Sequence, residues 1–224
     1  MKASYAANTN LETLLDPDAN AWRGKAAETV ALIGTPVGLQ PTAAIRASWM
    51  NKRIGAIEKV SVVALHNGEF LAFRLEWTDA TEDGSIADND NFPDAAAIAL
   101  PAAENAPLAL MGAPGTPVNA WYWRADQPDA AREISAEGLG TSQALSGSPV
   151  RARGAWKGGR WRVVIARALH TANSPGAAQL AAGSETGFGV AIWEGGNQER
   201  GGIKSFSGDW QTLTIEAADA AGRA

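Results

Sequence analysis

The sequence predicts an all-β fold: a sandwich of two antiparallel sheets with long loops and few short helices. Three observations carry that expectation. Helical periodicity is weak throughout, whereas short apolar or alternating runs recur between Gly, Pro, Asn and Asp. Two pairs of such runs flank Asn67-Gly68 and Gly158-Gly159, dipeptides that punctuate tight hairpins. Gly 24 and Pro 11 in 224 residues imply many turns. A single domain is expected over residues 1–224, with its core within 14–215.

In chain order, Ala43 to Trp49 is the first strand candidate. Val60 to His66 and Glu69 to Trp77 form the clearest hairpin, since Asn-Gly suits the positive φ angles of a type I′ turn. An acidic, turn-rich loop follows from Asp79 to Pro93, and then strands Ala95 to Leu100 and Asn119 to Arg124. The segment Ala125 to Val150 reads as a long loop with a short helix around Ala130 to Glu133. Gly154 to Lys157 and Arg160 to Arg167 make a second hairpin, in which Trp161, Val163 and Ile165 alternate with Arg162, Val164 and Ala166. One face of that strand should be buried and the other mixed. Thr171 to Gly183 and the glycine-rich Gly195 to Gly202 are loops around the strand Gly187 to Trp193. Gln211 to Ile215 is the last strand, and the chain should fray from Ala217.

Composition narrows the function. Charged residues make up 19% and the net charge is −5, with no basic stripe, which argues against a nucleic-acid surface. No apolar run of 18 residues suggests a membrane span. With Cys 0, disulfides, thiolate zinc, iron–sulfur ligation and covalent haem attachment through C-x-x-C-H are excluded. No G-x-S-x-G elbow, phosphate loop, dinucleotide fingerprint or paired-carboxylate motif is evident.

Apart from Met1, the methionines are Met50 and Met111. Met111 lies beside a Gly/Pro-rich loop that leads into Trp121-Tyr122-Trp123. A thioether at a loop–strand junction beside flat aromatic walls suits a soft metal such as haem iron, and it equally suits core filling. Lys204 sits between Ile203 and Ser205 just after a Gly-Gly pair. A lysine so placed is either solvated or drawn inward, where burial lowers its pKa and frees a neutral amine as a ligand. His66 is expected exposed and inert at a hairpin tip, and His170 enters a long loop either as a ligand or as a surface histidine. Asp79, Glu82, Asp83, Asp88, Asp90 and Asp94 lack EF-hand spacing and read as a solvated acidic loop, a candidate docking surface. The nine tryptophans are core, or a platform for a flat ligand such as a sugar ring or a porphyrin.

Several motifs taken together resemble one family. Asp16 to Trp22 (DPDANAW), Phe92 to Pro101 (FPDAAAIALP), Met111-Gly112, Pro117 to Asp126 (PVNAWYWRAD), Gly159 to Leu169 (GRWRVVIARAL) and Ala191 to Trp210 occur in order. They resemble the haem b-binding γ subunits of the ethylbenzene dehydrogenase, dimethylsulfide dehydrogenase, selenate reductase and chlorate reductase family. The resemblance implies a β-sandwich holding one non-covalent haem b (protoporphyrin IX iron) between loops at one end. It implies Met111 and Lys204 as axial ligands, with His170 as the substitute for Lys204. It implies a non-catalytic electron-transfer subunit beside a molybdopterin catalytic subunit and an iron–sulfur subunit, exchanging electrons with a soluble cytochrome c. A periplasmic location rests on the resemblance as well, because MKASYAANTN has no apolar leader region. The alternative from a different class is a carbohydrate-binding β-sandwich module.

Overall fold

The protein is described by a computed structural model that covers residues 1–86, 92–146, 150–172 and 174–218. Its strands are β1 (Lys2–Tyr5), β2 (Glu28–Ala31), β3 (Ile33–Gly34), β4 (Lys59–His66), β5 (Phe70–Thr78), β6 (Ala95–Pro101) and β7 (Val118–Arg124) in the first part. Then come β8 (Ala131–Ala136), β9 (Gln143–Ala144), β10 (Arg151–Trp156), β11 (Arg160–Ala168), β12 (Glu185–Trp193), β13 (Ser205–Phe206) and β14 (Gln211–Ile215). Two short α-helices, α1 (Leu11–Leu15) and α2 (Ala43–Trp49), accompany them.

The fold is all-β, in two leaves joined through β12. Glu185–Phe188 of β12 pairs with β14, and Gly189–Trp193 pairs with β6. One leaf runs β10-β11-β5-β4-β1-β14-β12 and the other β12-β6-β7-β8-β9, with β13 against β12, β3 against β13 and β2 against β4. The expectation of purely antiparallel sheets needs one correction. The N-terminal strand β1 runs parallel to both β4 and β14.

The inner faces of the leaves meet in an aromatic core. Phe73 lies 6.0 Å from Trp121, Trp77 lies 6.5 Å from Trp123, and Trp123 lies 5.1 Å from Trp161, all edge-on. Each such contact adds about 0.5–1.5 kcal/mol beyond area burial. The outer face of the β5–β11 pair is also buried, because Leu14, Leu15 and Trp22 cover Val63, Leu65, Ala72, Val164 and Ala166. That second covering explains why β11 carries Val164 and Ala166 where an open face would be polar.

The same core holds a polar knot. Arg167 and Glu133 are both fully buried, with Nη1 donating to Oε1 at 2.6 Å and to Asn119 Oδ1 at 3.1 Å. Arg167 also donates to the carbonyls of Ala168 and Ala178, and its guanidinium lies 4.8 Å above the Trp121 ring.

The second hairpin forms as expected, and its turn is type I′: Gly158 and Gly159 have φ of 61° and 75°, and Lys157 N donates to Arg160 O at 2.9 Å. The first hairpin is not, since only Gly68 takes a positive φ, of 93°. There Asn67 Oδ1 accepts from Glu69 N and Phe70 N, so the side chain closes the loop in place of a type I′ backbone. Two further expectations are overturned. Ala43–Trp49 is the helix α2, started by Thr42 Oγ1 accepting from Ile45 N. The helix expected around Ala130 to Glu133 is the strand β8, held by pairing with β7. His66 is fully buried, because β1 lies beside it with Tyr5 in register. Burial lowers its pKa against the opposing pull of Glu216. The fraying expected from Ala217 falls mostly on residues 219–224, outside the described residues.

Candidate cofactor cavity

Alternation along the strands of the second leaf gives its outer face an unusual surface. Ala96, Ile98 and Leu100 of β6 point into the core, which leaves Ala95, Ala97 and Ala99 on the other side. In register, Ala97 stands between Ala191 and Tyr122, and Ala99 stands beside Ala120. The result is a floor of small side chains on strands, where alanine is intrinsically disfavoured. Above this floor lies a cavity of about 370 Å³, within the roughly 300–1,000 Å³ of cofactor pockets. Another hollow, beside Tyr122, Arg124 and Arg132, holds only about 10 Å³, the space of one water.

Met111 and Lys204 both line the large cavity. Lys204 hangs from the margin next to β13. Its carbonyl accepts from Thr35 N at 3.0 Å, and the flanking loops are tied by Thr35 Oγ1 and Gln40 Nε2 donating to Gly202 O. Met111 is held at the other margin, past β8, where Gly138 N donates to its carbonyl at 3.0 Å. Strands β12, β6, β7 and β8 lie between these anchors in the sheet order.

Both residues sit at a cost. Met111 takes a left-handed φ of 55°, which disfavours a non-glycine residue by about 1–2 kcal/mol. The next residue must be glycine: Gly112 has φ 89°, and a Cβ there would stand 2.4 Å from the Ala136 carbonyl oxygen. Lys204 forms no ion pair among the described residues; its Nζ lies 5.3 Å from the centre of the Trp193 ring. Burial pushes its pKa down from 10.5 to about 8, so the neutral amine is far easier to reach than in a solvated lysine. Most of the remaining lining is apolar, including Leu108, Ile134, Val190 and Phe206.

The structure therefore brings together the two residues singled out from sequence and separates the third. His170 is exposed on the loop after β11 and does not line the cavity. The flat aromatic walls expected from Trp121-Tyr122-Trp123 are only partly there. Trp121 and Trp123 face the core, while Tyr122 and Trp193 reach the cavity. The alanine floor was not anticipated, although its signal stood in the sequence: a strand with alanine at three successive positions of one face.

Within the acidic loop, Asp88 and Asp90 fall outside the described residues. Asp79 and Asp94 are buried, contrary to the expectation of a solvated loop. No helix among the described residues is long and apolar enough to cross a membrane.

The structure is thus an all-β sandwich with an apolar, alanine-floored cavity that presents a thioether and an amine. The chain belongs to the ethylbenzene dehydrogenase family, whose model matches residues 19–144 and 139–205. It is 34% identical over 87% of its length to a protein of Haloferax mediterranei named as a respiratory nitrate reductase haem subunit. It is 35% identical over 70% of its length to the chlorate reductase γ subunit of Ideonella dechloratans. It spans just under two thirds of these two relatives, 66% and 65% of their lengths. The dimethylsulfide dehydrogenase γ subunit of Rhodovulum sulfidophilum is 30% identical over 95% of this chain and 80% of its own. Among solved structures, a family 9 carbohydrate binding module from Caldicellulosiruptor kristjanssonii superposes with a TM-score of 0.52 at 8% identity, covering 98% of this chain and 97% of that one. At that identity the likeness concerns the fold alone.

Proposed function

We propose that this chain is the electron-transfer subunit of a molybdopterin oxidoreductase complex and holds one non-covalent haem b in the alanine-floored cavity. The observation that carries the reading is that Met111 and Lys204, far apart in sequence, border the same cavity. Bound there, haem supplies a one-electron couple. The chain's own residues fit that group: no cysteine is present to attach it covalently, and the floor is flat and apolar. Met111 offers a soft sulfur, and Lys204 offers an amine already poised to be neutral. Were Met111 and Lys204 both to hold the iron, substrate would find no ligand position there, which fits electron transfer rather than catalysis. The names of the relatives support a place beside a catalytic subunit. We assign the partners as a molybdopterin subunit and an iron–sulfur subunit, the exchange partner as a soluble cytochrome c, and the location as the periplasm.

The mostly apolar lining disfavours the carbohydrate-binding alternative, since sugar hydroxyls would lose their hydrogen bonds on entering it. An absorption spectrum of protein expressed with ample haem tests the reading. A sharp Soret band with low-spin α and β bands on reduction is expected, and a colourless folded protein would reject it. Two variants sharpen the test. Met111→Ala should lower the midpoint potential on the order of 100 mV, within the roughly 0.8 V that axial ligands span; an unchanged potential would remove Met111 from the ligand set. Ala97→Phe should leave the fold intact and weaken haem binding at least about 100-fold by filling the cavity. His170→Ala should leave the spectrum unaltered.

A further inference from the structure

Away from the haem cavity floor, three carboxylates converge where β5, β6 and β12 meet their loops. One oxygen from each of Asp79, Asp94 and Glu194 lies within 4.8 Å of the others. Asp79 is 4% exposed and Asp94 fully buried. None of the three forms an ion pair among the described residues. Asp94 is well supplied with donors: Gly195 N reaches Oδ1 at 2.8 Å, and Trp161 Nε1 and Asp83 N reach Oδ2 at 2.8 and 3.0 Å. Glu194 accepts from Gly196 N and Asn197 N. Asp79 is different. Its Oδ1 accepts from Thr81 N, but its buried Oδ2 has no hydrogen-bond partner. The Trp77 indole N–H is close enough to favour the charged form of Asp79, yet Trp77 Nε1 and Asp79 Oδ2 fall short of a full hydrogen bond. A buried carboxylate oxygen without a full hydrogen bond, facing two further carboxylates, is costly unless a cation joins them.

We propose that Asp79, Asp94 and Glu194 bind a hard divalent cation, with calcium as the class that suits three carboxylates on loops and strand ends. The donors are all oxygen, with no imidazole or thiolate among them, which favours calcium-like ions over zinc. Burial first, and then repulsion from neighbouring carboxylates that include Asp83 and Glu199, raise the pKa of all three groups. The cation would fasten the start of the β12–β13 connection, the segment that ends at Lys204. The assignment itself stands without haem.

The test is calorimetric titration of the full chain with CaCl₂ after EDTA treatment and dialysis, together with thermal melting. A single-site binding heat is expected, with a rise of about 5–10 °C in melting temperature at a hundredfold excess over Kd. Asp79→Asn and Glu194→Gln should each remove the heat and the rise while keeping the wild-type EDTA-form circular dichroism. The wild-type titration decides alone if a variant fails to fold. No heat, and equal melting in calcium and in EDTA, would overturn the site, as would undiminished calcium binding by both variants.

Discussion

Lys204→Leu is expected to eliminate the low-spin haem spectrum while making the haem-free protein more stable. The two effects have one cause. An ammonium that borders an apolar cavity without an ion pair gives up hydration and receives only the Trp193 ring in return. The fall from 10.5 to about 8 bounds that cost at about 3 kcal/mol near neutral pH. Lys204 is half-buried, so residual solvent screening reduces it, and a gain of about 1–3 kcal/mol is expected for the variant. The sign of the pH dependence follows from linkage. The folded state releases the lysine proton near pH 8, whereas the unfolded chain keeps it until about 10.5. Between those values the unfolded state binds more protons, so wild-type stability should rise with pH across that window. Below pH 8 both states are protonated and the penalty is full. The variant should lack this rise. Urea unfolding of haem-free wild type and variant at pH 7 and pH 10 measures both points. A variant less stable than wild type at pH 7 would mean that Lys204 has a structural partner. A variant that retains low-spin haem would mean that Lys204 is not the ligand.

Much of the fold was legible because its signals are local. Gly158-Gly159 fixed a hairpin whose backbone needs two positive φ angles, and Gln211–Ile215 and Gly187–Trp193 read directly as strands. The failures share a different cause: each depended on a neighbour remote in sequence. His66 looks exposed beside Asn-Gly until the parallel strand β1 is laid against it. Ala130–Glu133 suits a helix until β7 supplies a pairing edge. Ala43–Trp49 was a matter of capping, with Thr42 and helix-forming alanines outweighing a short apolar run. At the cavity, Met111 and Lys204 stood out by residue type and family resemblance, but their shared border is a tertiary fact. The alanine floor lies in plain sight in Ala97 and Ala99. Alanines where strands favour β-branched residues mark a local choice made for the space above.

Arg167→Met should bring the largest loss of stability of any single change considered, about 3–5 kcal/mol. Removing the guanidinium strands Glu133, which is fully buried and whose Oε2 already has no partner. It also takes donors from Asn119 Oδ1 and from the carbonyls of Ala168 and Ala178. Burial already lowers the Arg167 pKa even though Glu133 pulls the other way. The environment therefore tolerates this charge only as part of the pair. The double variant Glu133→Leu with Arg167→Met should recover more than half of the loss, because it removes the stranded charge together with its partner. The consequences should also reach the cavity. Glu133 points inward from β8 while the next residue, Ile134, lines the cavity, and Asn119 joins β7 to β8 through Ile134 O at 3.1 Å. The single variant should thus weaken haem retention as well as stability, and the double variant should restore both together. Urea unfolding with a double-mutant cycle, followed by the Soret band on the same samples, tests the coupling. Additive single effects would show that Arg167 and Glu133 act independently, and haem retention unchanged in the single variant would show that the core knot does not support the cavity.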